Sequence, residues 1–215
     1  MNILITRPLI DSEDLMGKLF SLGHKIVHIP TLKISAANVG PIDEKKYDAF
    51  IFTSANAIRN LKLNNQDTSK ICFCVGSITE KIVRQKGYNN TISAGGTVNA
   101  LKNIILNSDQ IDKKKSIAYF CGDYISSNLD IELKNEGFQV DKIINYISEK
   151  INDLNEENNK IINNHPPDII FIYSKRSAES FIKIVKKYSL NGLMTESRVL
   201  CISEKVLDVL KKSGW

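Results

Sequence analysis

Short apolar runs alternate with amphipathic stretches along most of the chain. In chain order, the apolar runs read NILIT, KIVHI, AFIFT, ICFCV, TISA, SIAYF, QVDKII, DIIFIY and RVLCI. Most of them neighbour a segment with apolar residues at helical spacing, such as DSEDLMGKLFSLG, SITEKIVRQKG, TVNALKNIIL or SSNLDIELKNEG. Apolar strands that alternate with helices are typical of parallel sheets covered by helices. The pattern therefore predicts an α/β protein with parallel sheets.

The chain also contains an internal repeat. The segment DAFIFTSANAIRNL matches DIIFIYSKRSAESF and places Ser54 opposite Ser174, while CVGSITEKIVRQKGY matches CISEKVLDVLKKSGW and places Cys74 opposite Cys201. A weaker match pairs ILITRP and its helix with IAYFCG and its helix. Three matches in the same order predict two similar lobes of the flavodoxin- or Rossmann-like kind.

One copy of the repeat is shorter than the other. Tyr88 is followed by NNTISAGGTVNAL, which reads as a further strand and helix, whereas its counterpart Trp215 is the last residue. We therefore expect one lobe to lack its last strand and helix. Either the sequence is truncated or this lobe is reduced, and the sequence leaves both open.

The turns between strands and helices are rich in hydroxyls and free backbone amides. They are the TSAN turn at Thr53 to Asn56, Thr6-Arg7, Gly76-Ser77-Ile78-Thr79, Gly95-Gly96-Thr97 and Ser174-Lys175-Arg176. Such turns bind carboxylates or phosphates at helix N-termini, although Ser54 could equally serve only as a helix cap. The phosphate motifs G-x-G-x-x-G and G-x-x-x-x-G-K-[ST] are both missing. We expect an anionic ligand in a cleft between the lobes, at the carboxyl ends of the strands.

Composition narrows the classes of partner. The net charge of +5 is spread over 29 basic and 24 acidic residues without an arginine-rich block, which favours an acidic small molecule over nucleic acid.

His24 and His28 lie four apart in a predicted strand, roughly 13 Å apart, too far to share a metal ion. The apolar runs are far shorter than the ~20 residues that span a bilayer. The cysteines form no C-x-x-C pair, so we expect reduced thiols in a soluble, cytoplasmic protein; they are Cys72, Cys74, Cys121 and Cys201.

Several motifs in this order resemble those of uroporphyrinogen-III synthases. They are ILITRP, FTSANAI, VGSIT, YFCGD, INYIS and FIYSKRSAESF, and the resemblance covers nearly the whole chain. It implies two α/β lobes joined by a two-stranded connector: residues 1–33 plus about 148–215, and about 37–144. The connectors would lie near 32–36 (LKIS) and 145–149 (NYIS), whereas the repeat alone would split the chain near Asp112. The asparagine-rich segment NDLNEENNKIINNHPPD is then a surface helix and loop.

The resemblance also implies an activity. The family converts hydroxymethylbilane, a linear tetrapyrrole with eight carboxylates, into uroporphyrinogen III, inverting the last ring and losing water. The chain would be a lyase of haem biosynthesis that needs no cofactor and acts as a monomer, with no nucleic-acid or membrane partner; transient contact with the preceding pathway enzyme stays open. The alternatives are a non-catalytic two-lobed module that binds a small anion and, less favoured because the phosphate motifs are missing, a nucleotide-binding flavodoxin-like protein.

Individual roles follow from the resemblance and from the turns. Tyr146 aligns with a tyrosine that assists departure of the substrate hydroxyl as a general acid or hydrogen-bond donor; the alternative is a tyrosine that packs in the connector. Thr79 and Arg198 match family positions, with a helix cap and a surface arginine as the alternatives. Where the family has G-x-T-T-A this chain has Ser203-Glu204-Lys205-Val206, so contacts from that turn stay open. We expect substrate contacts from Thr6, Arg7, Ser54, Asn56, Gly76, Thr79, Gly96, Thr97, Ser174, Lys175, Arg176 and Arg198.

Overall fold

Strands and helices alternate in the computed structural model, which describes residues 1–64 and 66–215. These residues divide into two compact units, unit 1 (Met1–Lys33 with Glu149–Trp215) and unit 2 (Ile34–Ser148). The strands are β1 (Asn2–Ile5), β2 (Lys25–His28), β3 (Leu32–Ala36), β4 (Ala49–Phe52), β5 (Ile71–Cys74), β6 (Thr91–Ser93), β7 (Ser116–Gly122), β8 (Gln139–Lys150), β9 (Ile169–Ile172) and β10 (Arg198–Cys201). The α-helices are α1 (Leu9–Ser21), α2 (Ala55–Arg59), α3 (Ser77–Gln85), α4 (Val98–Leu106), α5 (Leu129–Asn135), α6 (Glu156–Asn164), α7 (Lys175–Lys187) and α8 (Glu204–Lys211). Two 3-10 turns lie at Glu44–Lys46 and Asn191–Met194.

The strands form two sheets. Unit 1 has a four-stranded sheet in the order β10-β9-β1-β2, and its neighbouring strands are parallel. The larger sheet has the order β3-β8-β7-β4-β5-β6, and its strands from β8 to β6 are parallel. The chain passes between the units along β3 and β8, which are neighbours in the larger sheet. The prediction of two parallel α/β lobes with a two-stranded connector is confirmed.

The internal repeat found in the sequence has the same strand order and register in both sheets. Strands β2, β1, β9 and β10 of unit 1 correspond in order to β8, β7, β4 and β5 of unit 2. Aligned residues occupy the same pairing positions: Ile3 opposite Ile169 and Phe171 opposite Leu200 in unit 1, Ile117 opposite Ala49 and Ile51 opposite Phe73 in unit 2. The repeat is therefore one βαβ architecture used twice.

One segment differs in detail from its sequence pattern, and another agrees with it. QVDKII and the connector NYIS form one continuous strand, the 12-residue β8, rather than two pieces. The asparagine-rich segment is a surface helix and loop as predicted, because α6 is capped by Asn155, whose side chain accepts a hydrogen bond from the Asn158 N–H at 2.7 Å. Among the described residues, no helix has the length and apolarity required to cross a bilayer.

Helices cover both faces of the unit 2 sheet. On one face, Ile51 and Phe73 pack with Leu101 of α4 and Leu133 of α5. On the opposite face the phenylalanine side chains of β4 and β7 pack with α2 and α3. The rings of Phe52 and Phe120 stack at 5.4 Å. These strands read as continuous apolar runs because each of their faces is buried.

One sheet face of unit 1 is open beside the edge strand β10. In the described part of the chain, no strand or helix takes the place beside β10 that β6 and α4 take beside β5. Phe73 is fully buried, whereas its counterpart Leu200 is 49% exposed and Ile202 is 67% exposed. The same pairing position is thus core in one unit and surface in the other.

This difference predicts unequal effects of truncation at equivalent positions. Phe73→Ala should lower the unfolding free energy of unit 2 by about 3–5 kcal/mol because it opens a cavity in a packed core. Leu200→Ala should cost less than about 1 kcal/mol because its side chain is half in solvent. Urea unfolding followed by circular dichroism, and by the fluorescence of the single tryptophan Trp215 in unit 1, would measure both. Equal losses would show that the open face is covered in solution.

Candidate functional site

The repeated serines cap helices at the carboxyl ends of corresponding strands. Ser54 has an extended backbone and accepts a hydrogen bond from the Asn56 N–H at 3.2 Å, at the start of α2. Ser174 accepts from the Ser177 N–H at 3.0 Å, at the start of α7. Both serines therefore act as helix caps. Each hydroxyl still has its own proton to donate, so capping does not exclude a ligand contact.

A β-bulge in β8 sets the position of Tyr146. Pairing with β7 runs from Ser116–Gln139 to Cys121–Ile144 and then skips one residue, so that Gly122 pairs with Tyr146 and Asn145 is the extra residue. Side chains alternate between the faces of a strand, and one extra residue reverses the alternation. Val140 packs on the face of α4 and α5, whereas Tyr146 packs with Phe52 and Phe120 on the face of α2 and α3. The bulge thus brings the phenol to the face that carries Ser54.

The Tyr146 phenol is nearly buried and stays protonated. Tyr146 is 9% exposed. Burial raises the pKa of Tyr146, and hydrogen bonding with the Ser54 side chain and the Gly122 backbone opposes this rise only in part. The phenol therefore keeps its O–H proton at neutral pH.

Asn145 connects the bulge to the helix that begins at Ser54. Its side chain is 4% exposed, and its Nδ2 donates to the Ala57 carbonyl of α2 at 2.6 Å. Its backbone carbonyl accepts from the Ala37 N–H at 3.1 Å, and the Tyr146 carbonyl accepts from the Asp123 N–H at 3.1 Å. The strand that carries the phenol and the helix that carries the serine are therefore held together directly.

Glycine turns lie at the carboxyl ends of β5 and β6. The Gly96 N–H donates to the Val75 carbonyl at 2.6 Å, and the φ of Gly96 is 118°, a conformation that favours glycine. A Cβ on Gly76 would lie 3.4 Å from the Gly96 Cα, so the two turns are in close contact. Thr97 caps α4 by accepting from the Ala100 N–H at 3.1 Å. Gly96 and Thr97 are exposed.

Thr79 and Asn56 lie at helix starts on this edge of unit 2. Thr79 is in the first turn of α3 and is 5% exposed. Asn56 is half-buried, and its Oδ1 accepts from Arg59 at 3.2 Å. The unit 2 residues expected from the sequence thus share the carboxyl edge of one sheet.

The carboxyl edge of unit 1 is more basic. The Arg7 guanidinium lies 5.3 Å from the centre of the Tyr173 ring and 3.6 Å from the Asp11 carboxylate. The Arg7 carbonyl is 2.8 Å from the His28 Nε2. Lys175 is exposed at the start of α7, 4.0 Å from a Glu179 oxygen. Arg176, in the same turn, is half-buried. This edge offers side-chain cations where the unit 2 edge offers neutral donors.

Thr6 serves the fold of unit 1 rather than an exposed surface. It is fully buried, and its hydroxyl donates to the Phe171 carbonyl at 2.7 Å and lies 3.1 Å from the Ser177 hydroxyl. Thr31 joins the same buried group at 2.6 Å from Ser177 and 3.1 Å from the Thr6 carbonyl. A side chain with all its hydrogen bonds inside the unit has none to offer a ligand, and the expected substrate contact of Thr6 does not enter the proposal below.

Arg198 lies at the opposite edge of its sheet. It is the first residue of β10 and pairs with Ile169, the first residue of β9, with its N–H donating to the Asp168 carbonyl at 2.9 Å. Ser174 and Arg7 follow the last residues of β9 and β1. Arg198 is exposed and belongs to the amino edge, so the surface-arginine alternative fits it better.

Turn motifs alone did not reveal several residues that position the site. Gly122 lies inside an apolar strand pattern, and Asn145 and Ser177 lie outside the turns. A polar residue within the strand run INYIS was the one sign of a bulge.

Ser203 of the divergent turn starts α8 without a side-chain capping bond, and Glu204 is exposed.

The thiols and acids give no metal site in the described part of the chain, where no group of three or more His, Cys, Asp or Glu could hold an ion. All four cysteines are free, and three of them are buried. Burial raises the pKa of Cys74 to about 12 and that of Cys121 to about 11. These thiols are therefore protonated and unreactive at neutral pH, as expected for small core residues.

Fold and site together define a two-unit parallel α/β protein with polar turns at the carboxyl ends of its strands and one nearly buried phenol. A family model, described as uroporphyrinogen-III synthase HemD, matches residues 13–215. The chain belongs to the uroporphyrinogen-III synthase family, an enzyme family of lyases in haem biosynthesis. No curated protein sequence matches the chain.

Solved structures show the same fold. The uroporphyrinogen-III synthetase of Helicobacter pylori 26695 has a TM-score of 0.67 and 16% identity, over 100% of this chain and 89% of that chain. A mutant uroporphyrinogen III synthase of the extremely thermophilic bacterium Thermus thermophilus has a TM-score of 0.58 and 14% identity, again over 100% and 89%. At these identities the likeness concerns the fold alone.

The raised pKa of Tyr146 predicts a pH dependence of stability. The phenol keeps its proton in the folded protein at a pH where it has lost it in the unfolded chain, whose pKa is near 10.0. The unfolded state is then favoured, so the contribution is complete below pH 10 and is lost as pH rises further. Tyr146→Phe should make the fall in unfolding free energy above pH 10 less steep, which urea titrations between pH 8 and 11 would measure. Identical slopes would contradict the buried phenol.

Proposed function

We propose that this chain catalyses the reaction of its family, the cyclisation of hydroxymethylbilane to uroporphyrinogen III with inversion of the last ring and loss of water, and that Tyr146 assists the departure of the hydroxyl. The observation that carries the role of Tyr146 is its position: the bulge in β8 brings a nearly buried phenol to the sheet face covered by α2, the helix that Ser54 caps. Burial raises the pKa of Tyr146, so its hydroxyl keeps a proton for the leaving group. Burial keeps the group neutral, and a neutral phenol does not repel an octa-acid.

The turns would hold the carboxylates of the substrate. In unit 2 these are the neutral donors of Ser54, Asn56, Thr79 and Thr97, together with Gly76, whose lack of a side chain lets its turn meet that of Gly96. In unit 1 they are Arg7, Ser174, Lys175 and Arg176. Backbone amides and hydroxyls bind anions without the desolvation that buried cations require. Holding the chain by many contacts favours the inverting closure over the spontaneous one.

The chemistry at the leaving group balances without another reactant. The hydroxyl leaves as water when it gains a proton from the phenol of Tyr146, and the resulting azafulvene is attacked by the substituted carbon of the last ring. Ring inversion then proceeds through a spiro intermediate, and the proton lost from carbon returns to the phenolate or to solvent. The enzyme therefore makes two contributions: it orients the substrate, and it supplies one proton to the leaving hydroxyl.

The cellular setting in this proposal is a monomer in the cytoplasm that contacts the preceding pathway enzyme transiently. Free cysteines suit a reducing compartment. Sedimentation at micromolar concentration would report the oligomeric state.

The direct test combines an isomer assay with Tyr146→Phe. The unmodified protein, supplied with hydroxymethylbilane, should yield the type III isomer; type I alone would contradict the proposed function. Tyr146→Phe should lower kcat by about 10²-fold, the lower range for general acid catalysis, with little change in KM. Tyr47→Phe is the matched control, because Tyr47 precedes β4 at the amino edge of the same sheet and bonds to Asp141 at 3.0 Å. An equal loss of kcat in both variants would contradict the proposed role of Tyr146.

Arginines at the two edges of unit 1 should differ in their effect on binding. Arg7→Ala should raise KM about tenfold, the equivalent of losing one charge-assisted hydrogen bond of about 1.5 kcal/mol. Arg198→Ala should leave KM and kcat within about twofold, since its side chain lies at the amino edge. Steady-state kinetics on the two variants decide this. A larger effect of Arg198→Ala would mean that the substrate reaches the amino edge.

A further inference from the structure

Gly122 has no conformational reason to be glycine. Its backbone is not among the glycines with positive φ, which are Gly23, Gly87, Gly95, Gly96 and Gly214 in addition to Gly137. It is the last residue of β7, an apolar strand whose other positions carry side chains such as Tyr119 and Phe120. Glycine weakens a strand because it loses more entropy on folding and packs nothing. The space around Gly122 must therefore explain its presence.

That space is filled by the ring of Tyr146. A Cβ on Gly122 would lie 2.6 Å from both the Cε2 and the Cζ of Tyr146 and 2.9 Å from its hydroxyl oxygen. Real Cβ atoms essentially never approach other atoms below 3.0 Å. No other glycine of the described chain has a contact under 3.3 Å for its Cβ. The Tyr146 ring thus occupies the space in which any other residue at position 122 would place its Cβ.

The bulge brings the two residues together. It pairs Gly122 of β7 directly with Tyr146 of β8. Asn145, the extra residue, donates from its Nδ2 to the Ala57 carbonyl of α2 at 2.6 Å. The register shift in β8 and the missing Cβ of Gly122 therefore both determine where the ring of Tyr146 lies.

We propose that Gly122 is a positioning residue for the reaction, because it leaves free the space that the Tyr146 ring occupies. This inference rests on the proposed function of Tyr146. Any side chain at position 122 would displace the hydroxyl end of the Tyr146 ring from this space. The expected defects are slower turnover and lower stability, and both depend on the presence of the Tyr146 ring.

The kinetic test compares Gly122→Ala, Tyr146→Phe and the double variant. Gly122→Ala should lower kcat to within about threefold of the Tyr146→Phe value, with KM within about threefold of the unmodified protein, as expected for loss of one proton donor. The double variant should be no slower than Tyr146→Phe, because the phenol it would misplace is already gone. Gly40→Ala is the control, since nothing lies within 4 Å of its Cβ. Unchanged turnover in Gly122→Ala, or multiplied losses in the double variant, would overturn the proposal.

A double-mutant cycle of unfolding stability tests the contact between Gly122 and the Tyr146 ring independently of activity. Gly122→Ala should lower the urea midpoint when Tyr146 is present and should have little effect in the Tyr146→Ala background, where the clashing atoms are absent. If Gly122→Ala with Tyr146 does not fold, the Gly122→Ala, Tyr146→Ala protein should still fold. An equal loss in both backgrounds would mean that Gly122 serves another contact, and the proposal would fail. Failure of the unmodified protein to form the type III isomer would instead contradict the proposed function.

Discussion

One extra residue in one strand determines how the candidate site of unit 2 is built. Asn145 has no partner position in β7, and this bulge reverses the alternation of side chains in β8. Without it, Tyr146 would point to the face covered by α4 and α5, among the leucines and isoleucines of that core. With it, the phenol reaches the face of α2, and Asn145 itself binds the Ala57 carbonyl of that helix at 2.6 Å. The hydrogen bond from Asn145 to Ala57 and the bulge therefore stabilise the same arrangement of β8 against α2.

Sequence patterns predicted most of the fold for a clear physical reason. Parallel strands buried on both faces give apolar runs, and helices that cover them give helical spacing, so β4, α3 or β9 were visible directly. The serine caps were also predictable, because Ser54 and Ser174 stand between strand and helix in aligned copies of a repeat. The register of the repeat, which pairs Ile51 with Phe73 and Phe171 with Leu200, then follows from the alignment.

The details of the site were less predictable because they depend on contacts between distant segments. Gly122 looked like the end of a strand, and its role appears only when the ring of Tyr146 is placed above it. Thr6 looked like an exposed turn residue, yet Ser177, 171 residues away, joins it in a buried hydroxyl group. Arg198 was placed by a family position, although its place at the beginning of a parallel strand already assigned it to the amino edge.

The position of the Tyr146 ring is the central claim, and nuclear Overhauser effects measure it most directly. In protein with labelled glycine and tyrosine, the Tyr146 ring protons should show strong effects to the Gly122 α-protons, whose resonances the ring current should shift upfield. Ring protons that instead contact Leu129 or Leu133, on the face of α4 and α5, would show that β8 has no bulge here and would contradict the account.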